Sequence, residues 1–334
     1  MSIPRVRTCS PILCSLAVAA GCASAAPPAP DAAPSPFPTS PAGTFALSSQ
    51  LELRPPSAAA PVLAVLRSAT DGPDDPTRFL VDRMIACLPD GTVKSLATQV
   101  APYLAAYLNA RLADTAPRLV PGLAALAGGL DRLATHLETV ESLRIDRDGV
   151  AVRTITGVRF ALGGAVVAAR FADTGLPDIT ATARVSLDAT GRLAIADHVH
   201  RLPYGAVLRL GLERAVVPSI EPAARDLASA LAAVVECDRV GAVLAERVGL
   251  GAPAIYRAAC RAATTAIAGE LAARLAEIDE AALALEVIGV ADAIDLDGDG
   301  AMDEVRAGRW SGAVVATGAR EPIDAGAFMA ARAP

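Results

Sequence analysis

The sequence predicts an α+β fold: an antiparallel β-meander packed against Ala/Leu-rich helices, with a C-terminal strand pair around an acidic loop. Three observations predict it. Apolar and polar residues alternate from about residue 143 to 201. Apolar residues recur at helical spacing in long blocks on either side of that stretch, and alternation returns at 282–318 around "DLDGDGAMDE". Elements of one kind come in runs, which favours α+β over a parallel α/β sheet.

Residues 1–21 read as a secretory signal, with Arg5 and Arg7 ahead of an apolar run from Pro11 to Ala20. Such a run, about ten residues long, is too short for a hydrocarbon core of roughly 30 Å, which takes about 20 in a helix. Ala19-Ala20-Gly21-Cys22 resembles the lipobox of bacterial lipoproteins. That resemblance implies diacylglycerol on the Cys22 thiol and a lipid anchor in the membrane. The alternative is an ordinary secretory signal cut after an Ala-x-Ala step, which leaves Cys22 removed or spare. Ala23, where enteric lipoproteins kept in the inner membrane carry aspartate, points to an outer-membrane lipoprotein facing the periplasm or the cell surface. Residues 22–43 then form the anchor and a Pro/Ala-rich tether, because repeated prolines favour extended, solvated chain.

Residues 44–334 form a single α+β domain of about 290 residues, enough for one sizeable core. "TFALSSQLELR" alternates with Phe45, Leu47, Leu51 and Leu53 on one face, a strand. Asp75-Pro76 reads as a cap and first-turn proline opening a helix with Phe79, Leu80 and Met84 inward, and Pro89-Asp90-Gly91 stops it. Helical spacing from Thr92 to about Ser142 holds two or three helices. From Leu143 the meander runs through turns at Arg147-Asp148-Gly149 and Asp188-Ala189-Thr190-Gly191. Pro203-Tyr204-Gly205 leaves the sheet, and helices return at 205–214 and 221–277.

Net charge is −6, basic residues are almost all arginine, and Lys94 is the only lysine. No basic run carries interleaved aromatics, so nucleic acid is excluded as a partner. Aromatics are 3% of the chain, too few for a sugar-stacking platform.

Of six cysteines, Cys9 and Cys14 leave with the signal and Cys22 carries lipid, so Cys87, Cys237 and Cys260 remain. Cys237 and Cys260 flank a helical hairpin whose turn, Gly249 to Pro253, brings them together as a disulfide in an oxidising compartment. The alternative is two small buried apolar side chains. Cys87 is then expected to be buried and inert.

In the acidic loop, Asp295, Asp297 and Asp299 alternate, Gly300 follows, and Asp303 closes the run. The carbonyl of Ala301 adds an oxygen. This D-x-D-x-D-G-x-x-D pattern resembles the calcium loops of integrin-type β-propeller blades and thrombospondin-type repeats, and it implies a structural calcium site. It also matches the start of an EF-hand loop, but Arg306 stands at the twelfth position where that family has glutamate. The competing reading is a solvated hairpin tip.

His198 and His200 point to the same side of a strand, as a zinc pair would. Only His136 exists besides them, and strand-end hydrogen bonding is the default for the two. No G-x-S-x-G, H-E-x-x-H, Walker or Rossmann motif is present. A dispersed pair of carboxylates leaves no local pattern, so a hydrolase stays the least favoured reading.

The lipobox, the "DHVHRLPYG" turn, the paired helix cysteines and the final "DLDGDGAMDEVRAGRWSG" together resemble predicted lipoproteins of GC-rich Gram-negative bacteria. The resemblance implies location rather than activity. The expectation is a non-catalytic envelope lipoprotein with a scaffold or interaction role. The alternative is a carrier of lipid or another apolar ligand, with a cavity between sheet and helices.

Overall fold

A computed structural model of the chain describes residues 37–54, 77–162, 164–249, 252–280, 283–316 and 319–333. The signal segment, Cys22, the tether up to residue 36 and the Asp75-Pro76 cap lie outside the described residues.

The β-strands are β1 (Gly43–Leu53), β2 (His136–Ile145), β3 (Val150–Leu162), β4 (Ala165–Arg170), β5 (Ile179–Leu187), β6 (Arg192–Arg201), β7 (Ala284–Ile294), β8 (Glu304–Ala316) and β9 (Ala319–Arg332). Hydrogen bonding runs β2-β1-β9-β8-β7-β6-β5-β3, and β3 pairs back onto β2. The result is a closed, antiparallel, eight-stranded barrel. β4 folds back on the end of β3 as a hairpin outside the ring. Closure removes the open edges that a flat sheet of this size would expose.

The strand pair expected near the C-terminus is thus part of a larger whole. β7 and β8 follow the meander directly, β9 pairs with the N-terminal β1, and β1 pairs with β2. β9 hid because its sequence, "AREPIDAGAFMAAR", sets mostly small or polar residues on both faces, with Phe328 and Ala330 its buried side chains. The meander also begins earlier than residue 143. A helix ends at Thr135 and β2 starts at His136, with no turn residue between them to mark the change.

Helices enter in two blocks. α1 (Arg78–Ala86), α2 (Thr92–Ala110), α3 (Leu112–Thr115) and α4 (Leu119–Thr135) lie between β1 and β2. α5 (Tyr204–Gly211), α6 (Val217–Ile220), α7 (Leu227–Val235), α8 (Cys237–Val248) and α9 (Pro253–Glu280) lie between β6 and β7. The pairings Glu52–His136, Ala284–Val315 and Ala316–Ala319 put both insertions at one end of the barrel. The acidic loop lies at the other. Asp279, near the end of α9, accepts from the amides of Gly205 and Ala206 at 2.7 and 2.9 Å and so satisfies the first turn of α5.

One apolar cluster fills the barrel and continues into α4 and α5, with Phe45, Leu143, Ile155 and Leu193 essentially unexposed. A second binds α1, α2, α8 and α9. The disulfide Cys237–Cys260 lies within the second and ties α8 to α9, and it implies an oxidising, extracytoplasmic setting. Cys87 is free but half-buried, not buried as expected; it is the C-cap of α1, where the chain leaves the helix. No helix among the described residues is long and apolar enough to cross a membrane.

Candidate functional site

The acidic loop joins β7 to β8. Gly298 and Gly300 have φ of +79° and +83°, conformations that cost a side-chain-bearing residue energy, and they fold the loop tightly enough to aim carboxylates inward. Asp295 accepts from the amides of Gly298 (2.7 Å) and Gly300 (2.8 Å), Asp297 from Asp299 (3.1 Å), and Asp303 from Leu296 (2.9 Å). Desolvation is the largest single influence on Asp295 and would raise its pKa, but the Gly300 and Gly298 amides and hydrogen bonds with Asp297 together outweigh it and hold the carboxyl below the usual aspartate range.

Oxygens of Asp295, Asp297 and Asp303 lie within 4.8 Å of one another. Ligands at 2.3–2.6 Å from a shared calcium ion are separated by at most roughly 5 Å, so the three can hold a cation together. Asp299 is not in this group. Its side chain accepts instead from the Ala301 amide at 2.7 Å, and Ala301 forms a parallel bridge with Ser40.

That bridge connects the loop to the point where the chain enters the barrel. Thr39 and Ser40 donate their amides to the Gly300 carbonyl at 2.8 and 3.1 Å, and Met302 donates to the Ser40 carbonyl at 3.1 Å. Residues 39 and 40, near the end of the expected tether, are therefore laid against the acidic loop. Arg332, at the end of β9, reaches Asp303 with its Nε 3.3 Å from Oδ1.

A second polar group sits inside the barrel. Inward positions carry Ser49 of β1, Thr139 and Glu141 of β2, Arg153 of β3, His198 and His200 of β6, and Trp310 of β8, all buried. Arg153 forms a bidentate ion pair with Glu141, its Nη2 2.8 Å from Oε1 and its Nε on the other oxygen. Its guanidinium stacks over Trp310 at 4.2 Å, and the indole donates to Ser49 Oγ at 3.0 Å. Gly289 of β7 makes room for that indole: a Cβ there would lie 2.4 Å from the ring.

Burial alone would raise the Glu141 pKa. The charge and hydrogen bonds of Arg153, with bonds from Thr139 and Ser49, hold it below the usual glutamate value instead.

The zinc-pair reading of the histidines does not fit these contacts. Arg153 Nη1 lies 3.1 Å from His198 Nε2, and a guanidinium can only donate, so that nitrogen is an acceptor already engaged. His198 Nδ1 then donates to the Ala196 carbonyl at 2.8 Å. Nor does strand-end bonding describe His200, whose two ring nitrogens are buried without a hydrogen-bond partner. Burial, Arg153 and His198 push its pKa down to about 3, and burial likewise lowers that of His198.

Sequence reasoning passed over Glu141 and Arg153. The signal was present: both stand on the inward phase of alternating strands, "LETVESLRI" and "VAVRTI", where a charge breaks the apolar pattern. Chemically the group is closed. Arg153 and His200 are 0% exposed, so neither meets a substrate from solvent. Compared with known protein families, curated proteins and solved structures, the chain matches none.

Proposed function

We propose that the protein is an envelope lipoprotein, anchored through Cys22 to the outer membrane, whose barrel-and-helix body has a non-catalytic scaffold or interaction role. In this reading calcium at Asp295, Asp297 and Asp303 clamps the point where the tether joins the body. The observation that carries it is the bonding of Thr39 and Ser40 to Gly300 and Met302. An ion in the loop would stiffen the junction through which any pull from the membrane must pass. A calcium-rich envelope suits a loop of hard oxygen donors.

The disulfide supports an extracytoplasmic body. The sealed state of Arg153, Glu141 and His200 supports a non-catalytic role over a hydrolase. A packed apolar cluster that runs from the lumen into Leu130 and Leu133 of α4 and Leu208 of α5 favours a scaffold over a carrier with a cavity between sheet and helices.

Metabolic labelling with palmitate and membrane fractionation of the full chain test the anchor. Label and membrane association are expected in the wild type and lost in Cys22→Ser; equal labelling of the two overturns it.

A further inference from the structure

The outer wall of the barrel carries a trough. Outward positions on β1 and β9 hold small side chains, Ala46, Ser48, Ala327 and Ala331, where an exposed antiparallel wall ordinarily carries long polar ones. Cross-strand pairing sets Ala46 beside Ala331 and Ser48 beside both Met329 and Val140. The hollow above them measures about 590 Å³. Met329 stands 67% exposed within it. A narrow hollow of about 70 Å³ continues toward Glu138, and a third of about 320 Å³ lies between the end of α4 and β3, lined by Arg132, His136 and Arg159. Arg159 lines all three: the first is mostly apolar, and the third sets Arg132 and Arg159 around Glu138.

The third hollow carries two guanidiniums against the single carboxylate of Glu138. Among the described residues neither Arg132 nor Arg159 forms an ion pair, although Glu138 stands directly opposite Arg159 on β2. Most arginines facing a carboxylate here are engaged with one, as Arg83 is with Glu270, Arg118 with Glu221 and Arg153 with Glu141. Two free guanidiniums converging on one hollow, in a chain of net charge −6, select for an anion. The hollow is of small-molecule size, about 300–1,000 Å³ being the usual range, and its floor offers no row of partners for a peptide backbone.

We propose that this trough binds one long-chain carboxylate, a free fatty acid, with the acyl chain over Ala46, Ala327 and Met329 and the carboxylate on Arg159 and Arg132. The site goes beyond the tethered-scaffold reading and depends on neither the Cys22 anchor nor calcium. Arg159 and Met329 are surface residues, so their substitution leaves the core intact. The test is calorimetric or fluorescence titration of the full chain with palmitate below its micelle concentration, with hexadecanol as the uncharged control. One palmitate per chain is expected, with hexadecanol at least tenfold weaker, and Arg159→Gln is expected to weaken palmitate at least tenfold. Met329→Glu should remove binding while circular dichroism stays that of the wild type. The proposal is overturned by no palmitate binding, by equal affinity for hexadecanol, or by binding that ignores both substitutions. It is equally overturned if the face proves to be a dimer contact, with Met329→Glu changing sedimentation and no palmitate bound.

Discussion

Arg153 and Glu141, on adjacent strands of the barrel, hold each other inside its lumen, with Nη2 2.8 Å from Oε1 and both side chains sealed from water. Each charge is tolerable there only because of the other. Removing one partner leaves an uncompensated buried ion, a loss of about 3–5 kcal/mol. Arg153→Met is therefore expected to lower the urea midpoint sharply. The double variant Arg153→Met with Glu141→Leu should recover most of that loss, because the apolar pair needs no desolvation. A double variant as unstable as the single one would show that the pair is not the reason for the cost.

The histidines make stability depend on pH. The fold holds His200 neutral, with a pKa near 3, against an unfolded value near 6.5. Between those values the unfolded chain binds a proton that the native one refuses. The contribution of His200 is thus intact above pH 6.5 and is lost as pH falls toward 3, at up to about 1.4 kcal/mol per pH unit. His198 shifts in the same direction. His200→Phe, similar in bulk and without a proton to bind, is expected to match the wild type at pH 8 and exceed it in urea midpoint at pH 5. Identical pH dependence of the two proteins would contradict this account.

What was legible in the sequence was local. The Cys237–Cys260 pairing could be read because both cysteines flank one helical hairpin, and the acidic loop because its carboxylates lie within a few residues. Barrel closure could not be read, since nothing in the alternation of β1 says that its neighbours are β2 and β9. The trough joins side chains from residue 46 to residue 331, and no local pattern marks it. The membership of the acidic site also escaped the sequence pattern. The positive φ of Gly298 and Gly300 decides which aspartates converge, and Asp299 falls outside.

Reduction should weaken the helical layer before the barrel. The disulfide closes a loop with a sequence separation of 23, and a loop of that length restrains the unfolded chain by about 3 kcal/mol on the entropy model. Its apolar cluster, around α1, α2, α8 and α9, is distinct from that of the barrel. In Cys237→Ser/Cys260→Ser, amide exchange is expected to quicken in α8 and α9 while β2 and β3 stay protected. Uniform acceleration across both would show that layer and barrel open as one unit.

The acidic loop separates two ion-binding schemes. The sequence pattern gives equal standing to Asp295, Asp297, Asp299 and Asp303, whereas the geometry gathers Asp295, Asp297 and Asp303 and leaves Asp299 bonded to the Ala301 amide. Calcium that binds the folded state alone raises stability with its concentration, by about 2.7 kcal/mol at a hundred times its dissociation constant. Added calcium should therefore raise the melting temperature and EDTA reverse the rise. Asp297→Asn is expected to abolish most of the shift, and Asp299→Asn to retain most of it. Because Thr39 and Ser40 hang on Gly300, amide exchange at residues 39 and 40 should slow with calcium as well. A melting temperature indifferent to both calcium and EDTA would reduce the loop to a polar turn held by its own amides.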